Sequence, residues 1–83
     1  VGDSVIGDNV NIAAGFIAAN LRHDGNSVKS MVKNVLVDTK LRKFGCVIGD
    51  NVKTGIGTLV YPGRKIWPDK FTIPGEIIKE DKM

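Results

Sequence analysis

Few side chains in this 83-residue chain could take part directly in a reaction. Its single histidine, His23, could act as a general base, because imidazole titrates near neutral pH. Its single cysteine, Cys46, would attack a substrate only as the thiolate, and the sequence supplies neither a paired base nor a reason for a lowered pKa. Each residue also has a plainer interpretation, a solvated histidine in a turn and a small, partly buried cysteine in the core.

The densest positive patch consists of Lys40, Arg42 and Lys43. Such a cluster could bind the phosphates of a ligand, or it could be a solvated surface or a contact with a neighbouring chain. The sequence contains no metal-ligand cluster, Walker-type phosphate loop or Ser-His-Asp arrangement, so we predict no metal. The remaining basic residues are scattered among acids and the net charge is only +3, so we expect no nucleic-acid partner.

The elements that must position these groups repeat every six residues. The blocks IGDNVN and IGDNVK are near copies, and aliphatic or small residues recur with this period at Ile6, Ile12 and Ala18 and again at Ile48, Thr54, Val60, Ile66, Thr72 and Ile78. A period of six is typical of neither an amphipathic helix nor a simple strand, and it predicts hexapeptide coils with three blocks in each triangular turn. We therefore predict an all-β fold, a left-handed parallel β-helix, although the hand is an expectation from hexapeptide proteins in general and not from the period.

A second position that faces inward lies four residues after the first, and it holds Val52 and Thr58 before it changes to Arg64, Lys70 and Glu76. Glycines and Asp-Asn pairs are expected at corners, where positive φ is needed. Tyr61 and Trp67 each follow an inward position. They either cover the coil or a subunit interface, or they offer a stacking surface for adenine.

Residues 1–83 are predicted to form a single β-helix domain, with coils at 1–18 and 48–78 and an inserted arm at 19–47. The arm contains the segments SVKSMV and NVLVDT, which have the β-branched residues of strands, and the step from Lys33 to Asn34 could turn between them. We therefore expect an extended or hairpin-like arm that leaves the coil, with a tight turn at 23–26 near its base.

The chain opens on Val1, without a methionine and within a repeat, so we expect it to be truncated upstream. A coil stack with an open end needs a cap or a partner, which favours an oligomer. The lone cysteine and the lack of a signal peptide or a long apolar run predict a cytoplasmic protein with no membrane partner.

The run GDSVIGDNVNIAAGFIAANLRHDG resembles the acetyltransferase half of bacterial bifunctional sugar-1-phosphate nucleotidylyltransferases, which make UDP-N-acetylglucosamine from glucosamine-1-phosphate. The continuation, RKFGCVIGDNVKTGIGTLVYPGRKI, resembles archaeal members of that group, often called glucose-1-phosphate thymidylyltransferases. The resemblance covers essentially the whole chain. It implies an upstream nucleotidylyltransferase domain, a homotrimer, and acetyl-CoA lying in a groove between neighbouring chains. It also implies a histidine base and a tyrosine just upstream of Val1, so we expect this chain to be inactive alone.

The resemblance assigns roles to three polar residues. Asn11 matches an asparagine that contacts the sugar phosphate, and its alternative is a corner residue that satisfies backbone groups. Asn20 matches an asparagine at the acetyl-donor end of the site, where an amide N–H can meet the oxyanion of the tetrahedral intermediate; its alternative is a turn former. Lys29 matches an archaeal lysine that could neutralise the sugar phosphate, whereas the position of the bacterial lysine holds Asn26.

The resemblance also implies contacts with acetyl-CoA at Ala14, Asn20, Gly55 and Ile56. Small residues let the pantetheine arm approach the main chain, but they are also routine in tight coils. Ile56 departs from the small hydroxyl residue usual at its position.

Two functions follow as alternatives. The first is an acetyl-CoA-dependent N-acetyltransferase domain that acts on an amino-sugar 1-phosphate in UDP-N-acetylhexosamine synthesis. The second is a non-catalytic β-helix that trimerises or regulates a sugar-1-phosphate nucleotidylyltransferase.

Overall fold

The structure, a computed structural model, describes residues 2–22, 24–32 and 35–83. Within these ranges the chain forms short strands and no helix. The strands are β1 (Val5–Ile6), β2 (Ile17–Ala18), β3 (Lys29–Val32), β4 (Val35–Asp38), β5 (Val47–Ile48), β6 (Leu59–Val60), β7 (Lys65–Ile66) and β8 (Ile77–Ile78).

Six of these strands form two parallel sheets on different sides of a coil. One sheet has the order β1-β5-β7 and the other the order β2-β6-β8. A third ladder of parallel bridges joins Asn11, Lys53 and Phe71. Three ladders in which each turn stacks on the next are the arrangement of a three-sided parallel β-helix. The predicted all-β fold of this type is therefore confirmed, while its left hand stays a prediction.

The core is a column of side chains that point into the coils. Its fully buried members are Cys46, Ile48, Val52, Val60, Ile66 and Ile78. Thr58 and Thr72 share this interior, and their hydroxyl oxygens lie 2.7 Å apart. Each hydroxyl also bonds the backbone of Gly55, Thr58 to its carbonyl oxygen and Thr72 to its N–H. The threonines can therefore be buried because their polar groups are satisfied.

The first coil is less well covered than the others. Val10, Ile12, Phe16 and Ala18 pack against the core but are only partly buried, and Ile6 is 45% exposed. Strands β1 and β2 each pair on one side only, with β5 and β6. The inward residues of this coil therefore have stacked neighbours on one side alone.

Two of the corners are stacks of residues with positive φ. Asn9, Asn51 and Asp69 have φ of 58°, 62° and 63°, and Gly15, Gly57 and Gly75 repeat the conformation one corner later. Asn9 Nδ2 donates to Asn51 Oδ1 at 2.9 Å, and Asn51 Nδ2 donates to Asp69 Oδ1 at 3.0 Å. Short side chains that tolerate the left-handed region thus also link successive coils.

The arm branches from the coil between β2 and β5. Ala19 N–H still donates to Val60, in ladder geometry, and Phe44 N–H then donates to the Asn20 carbonyl at 2.9 Å and closes the base of the arm. Strands β3 and β4 pair antiparallel, with Lys29 opposite Asp38. The hairpin is therefore present, and the turn predicted at Lys33–Asn34 lies outside the described residues.

The hairpin does not project freely but packs against the coil corner at 61–64. Ser30 Oγ donates to the Gly63 carbonyl at 2.9 Å, and Val28 is buried beside the same glycine. Arg64 Nη1 donates to the Lys29 carbonyl, and Lys65 Nζ donates to the Met31 carbonyl at 2.7 Å. These donors satisfy the outer carbonyls of β3, which is the free edge of the hairpin facing the coil.

Candidate ligand-binding site between the arm and the coil

Asn20 lies where the chain leaves the coil, and its side chain is held in place. Its Nδ2 donates to Asp3 Oδ2 at 2.8 Å, and its carbonyl oxygen accepts from Phe44. The residue is half-buried. Because an amide nitrogen carries two hydrogens, one N–H remains for a ligand while Asp3 fixes the orientation of the group.

Ala14, Gly55 and Ile56 share one corner of the coil. The carbonyl oxygen of Ala14 accepts from Gly57 N–H at 2.9 Å, and that of Ile56 accepts from Gly75 N–H at 2.8 Å, so the two residues stack on adjacent turns. Ile56 is 59% exposed, and Ala14 is exposed as well. This corner therefore presents a small residue and an aliphatic one to solvent, side by side.

Asn11 belongs to a different side of the coil. It is exposed and bridges to Lys53 on the ladder that also contains Phe71, while its carbonyl oxygen accepts from Thr54. Along the chain, Asn11 lies on one face, Ala14 at the next corner and Asn20 at the corner after it. The structure thus brings together Ala14, Gly55 and Ile56, three of the four residues predicted to contact acetyl-CoA. It places neither Asn20, the fourth, nor Asn11 at that corner.

Lys29 lines a cavity that the sequence did not reveal. This cavity has a volume of about 270 Å³ and lies between the hairpin and the coil corner, where Lys29 is joined by Arg22, Tyr61 and Arg64. Arg64 occupies an inward-facing position of the six-residue pattern. A charged residue at such a position was the feature of the sequence that could have indicated a binding site here. Arg22 and Tyr61 reach the cavity only because the arm folds back onto the coil, which no local pattern predicts.

A second cavity, of about 380 Å³, adjoins the first. Arg22, Tyr61 and Pro62 line both, and Ala19, Leu21 and Asp24 complete the second. We call the two cavities together the arm groove. It runs from Lys29 and Arg64 to Ala19, the neighbour of Asn20 in the chain.

A further cavity of about 400 Å³ adjoins the arm groove at Leu36 and Arg64. It is lined by Met31, the C-terminal segment 79–81 and Met83. None of the residues predicted to bind a ligand lies in it, and it contains the carboxylates of Glu80 and Asp81. It is therefore a poorer match to an anionic ligand than the arm groove.

The carboxylates near the base of the arm are held in their charged form. The backbone N–H of Asn26 donates to Asp24 and, with the adjacent Arg22, holds the pKa of Asp24 below its ordinary value. The hydroxyl of Ser27 and the backbone N–H of Lys40 hold the pKa of Asp38 below its ordinary value. Asp24 therefore carries a full negative charge at one end of the arm groove at neutral pH.

The other candidates from the sequence lie elsewhere. Lys40, Arg42 and Lys43 are exposed and line neither cavity of the arm groove. Cys46 is fully buried, and burial raises the pKa of its thiol, which suits a core residue and not a nucleophile. Trp67 is 49% exposed on the coil surface. His23 lies outside the described residues.

The described residues contain no cluster of three or more His, Cys, Asp or Glu side chains that could hold a metal ion. In the same ranges no helix has the length and apolar character needed to cross a membrane.

Comparison with known proteins gives the chain clear relatives. No protein-family model matches it. It is 43% identical over 81 residues to the bifunctional sugar-1-phosphate nucleotidylyltransferase/acetyltransferase of Sulfurisphaera tokodaii, an alignment that covers 98% of this chain and 20% of that protein. It is 48% identical over 66 residues to the bifunctional protein GlmU of Methanocaldococcus jannaschii, which covers 80% of this chain and 16% of that protein. The GlmU protein of Methanococcus vannielii is 50% identical over 66 residues, again 80% of this chain and 16% of that protein. The chain thus spans a fifth or less of the length of these curated relatives.

Proposed function

Because the chain is homologous to a segment of the bifunctional sugar-1-phosphate nucleotidylyltransferase/acetyltransferases, we propose that it is the acetyltransferase domain of such an enzyme. In this proposal it transfers an acetyl group from acetyl-CoA to the amine of an amino-sugar 1-phosphate, in the synthesis of a UDP-N-acetylhexosamine. The observation that carries the proposal is the 43% identity to the Sulfurisphaera tokodaii protein, which extends over the coils and the arm together.

The proposed reaction is attack of a neutral amine on a thioester. The amine nitrogen forms a bond to the carbonyl carbon, the carbon–sulfur bond breaks, and the departing CoA thiolate takes up a proton. A base must remove the amine proton, since an ammonium group has no free electron pair. The resemblance to that family implies a histidine as the base.

Asn20 is proposed as the donor to the oxyanion that forms on the thioester carbonyl. The second N–H of its side chain amide, left over from the bond to Asp3, supports this role. Preorganised donors of this kind stabilise the tetrahedral intermediate without reorganising during the reaction. Ala14, Gly55 and Ile56 are proposed to line the path of acetyl-CoA, and Asn11 and Lys29 to contact the sugar phosphate.

A stripe of exposed apolar residues supports the proposed homotrimer. Ile17, Leu59 and Ile77 lie in register across β2, β6 and β8 and are 59%, 38% and 48% exposed. A contiguous apolar surface of this kind is typical of an interface. The association state, measured by light scattering for the full-length protein and for its Leu59→Asp variant, tests this: a wild-type trimer that dissociates in the variant supports the stripe, and a wild-type monomer contradicts it.

The activity is tested by CoA release from acetyl-CoA in the full-length protein, with glucosamine-1-phosphate and galactosamine-1-phosphate supplied separately. Release that depends on an amino sugar is the expected result and identifies the substrate. The Asn20→Ala variant should lower turnover by about 100-fold or more, whereas Asn26→Ala, an exposed asparagine of the same arm, should not. A folded protein that releases no CoA would favour the alternative, a β-helix that assembles or regulates a nucleotidylyltransferase.

A further inference from the structure

We infer that the arm groove binds a phosphate group, held by Arg22, Lys29 and Arg64. The inference rests on the proposed function for the identity of the ligand, an amino-sugar phosphate, but its physical basis is the charge and geometry of the groove. Arg22 and Arg64 are new members of the site.

The first argument is the charge of the smaller cavity of the groove. Its lining contains three cationic side chains and no carboxylate, and the remaining residues, Val28, Leu36, Tyr61 and Pro62, are neutral. Like charges confined beside apolar walls repel one another more strongly than in open water. A bound dianion removes that repulsion, and guanidinium groups bind phosphate oxygens through charge-assisted hydrogen bonds.

The second argument is that Arg64 is held rigidly at the cavity. Its Nε donates to the Lys79 carbonyl at 3.0 Å and its Nη1 donates to the Lys29 carbonyl at 3.2 Å. A guanidinium has five N–H donors, so its Nη2 remains for a ligand. Arg64 therefore both fixes the hairpin against the coil and presents a preorganised charge.

The third argument concerns Arg22, which stands at the junction of the two cavities. Its Nη2 lies 2.8 Å from Asp24 Oδ2, and its other donors are available to a ligand. Asp24 lowers the net charge that Arg22 offers to an anion. Removing the carboxylate of Asp24 should therefore strengthen phosphate binding, while removing Arg22 should weaken it.

The order of charged and aromatic side chains along the groove matches an amino-sugar phosphate. Lys29 and Arg64 lie at one end, Arg22 and Tyr61 line both cavities, and Asp24 lies in the cavity that reaches Ala19, the neighbour of Asn20 in the chain. A phosphate at the cationic end would place a sugar ring over Tyr61 and its amino group toward Asp24 and Asn20. The phosphates of CoA share the phosphate chemistry but carry no such amino group near the phosphate.

The test is a calorimetric titration of the full-length protein and three variants, Arg22→Ala, Asp24→Asn and Arg42→Ala. Asparagine keeps the oxygen that accepts from the Asn26 N–H, so Asp24→Asn preserves the turn. Arg42 is a matched control, since it donates to the Gly25 carbonyl in the arm but lines neither cavity of the groove. The ligands are glucosamine-1-phosphate, glucosamine, CoA, dephospho-CoA and inorganic phosphate.

We expect Arg22→Ala to weaken glucosamine-1-phosphate binding by about tenfold or more, the size of a lost charge-assisted hydrogen bond. Asp24→Asn should tighten the binding of inorganic phosphate, which has no amino group to interact with Asp24, and Arg42→Ala should leave glucosamine-1-phosphate binding within about twofold of the wild type. If Arg22→Ala loses affinity for CoA alone, and not for dephospho-CoA or glucosamine-1-phosphate, the groove binds the 3′-phosphate of CoA and the sugar assignment is overturned. Unchanged affinity of Arg22→Ala for every phosphate, inorganic phosphate included, would overturn the inference even if acetyl transfer is observed. Failure of the proposed function would instead show as tight phosphate binding without CoA release.

Discussion

The hydroxyl of Ser30 donates a hydrogen bond of 2.9 Å to the carbonyl oxygen of Gly63, and both residues are buried. One belongs to the hairpin and the other to a coil corner, so this bond joins the arm to the body of the protein. Gly63 has a φ of 74°, and a side chain there would collide with the Lys29 carbonyl. The hairpin can lie this close to the coil because the corner residue is a glycine.

Ser30→Ala should loosen the arm. The change leaves the buried carbonyl of Gly63 without its donor, which costs about 1–3 kcal/mol. Ser27→Ala is the matched control, because the hydroxyl of Ser27 donates to Asp38 at 2.6 Å, a partner that also belongs to the arm. Hydrogen exchange of the β3 and β4 amides should accelerate in Ser30→Ala and much less in Ser27→Ala. Equal exchange in the two variants would show that the Ser30 bond does not hold the arm.

Asn51 contributes to stability through both its conformation and its side chain. Its φ is 62°, and its amide accepts from Asn9 and donates to Asp69. Asn51→Ala should destabilise by about 1–2 kcal/mol from the left-handed conformation alone, with the loss of two hydrogen bonds in addition. Asn51→Gly removes the conformational cost, so its free energy of unfolding, measured by chemical denaturation, should lie between those of Asn51→Ala and the wild type. If the two variants were equally stable, the left-handed conformation of Asn51 would not contribute to the loss of stability.

The thiol of Cys46 should be unreactive in the folded protein. Burial raises its pKa above the ordinary 9.0, so the protonated form persists to higher pH than in an unfolded chain. The stability linked to this thiol is present below pH 9.0 and is lost as the pH rises through the raised value. Iodoacetamide labelling of Cys46, followed by peptide mass spectrometry, should appear only with denaturant. Rapid labelling of the native protein at pH 8 would contradict the buried position.

The pair of Glu76 and Lys82 should stabilise the last coil in a pH-dependent way. Lys82 Nζ lies 2.7 Å from the Glu76 carboxylate and lowers its pKa below the ordinary 4.5. The stability from this pair is therefore present above pH 4.5 and is lost as the pH falls through the lowered value. Glu76→Gln should cost up to about 1 kcal/mol at pH 7.

The melting temperatures of Glu76→Gln and the wild type should converge on acidification. Glu80→Gln serves as the control, since Glu80 forms no ion pair within the part of the chain that the structure describes. A difference between Glu76→Gln and the wild type that stays constant from pH 7 to pH 3 would exclude the ion pair as its source.

The coil was predictable from the sequence, because the residues that determine it recur every six positions and act on their neighbours in the chain. Ile48 and Ile66 are buried where the six-residue repeat predicts, and Asn51 adopts the corner conformation expected of an Asp-Asn pair. The strands of the arm lie within the segments that β-branched residues indicated. These features depend on residues close in the chain or repeated along it.

The arm groove was not predictable in the same way. It exists because Ser30 and Val28 meet Gly63, residues more than thirty positions away, and no pattern in the sequence specifies that meeting. Arg64 illustrates the difficulty, since it occupies an inward position of the repeat yet bonds to the hairpin. Its charge indicates that Arg64 does not belong to the apolar core, but it does not indicate which residues Arg64 contacts.

The insertion of the arm leaves the register of the coil unchanged. Asp8 in the first coil and Asp50 in the second are equivalent residues and lie 42 positions apart. Asn51 in the second coil and Asp69 in the third are equivalent as well but lie only 18 apart. The strands of successive coils nevertheless pair in parallel in both cases. The 24 extra residues leave and rejoin the coil at one corner, where the Phe44 N–H donates to the Asn20 carbonyl and Leu21 bridges Lys43. The arm is thus a side branch whose length does not set the register of the stack, although Val28 and Ser30 must still meet Gly63.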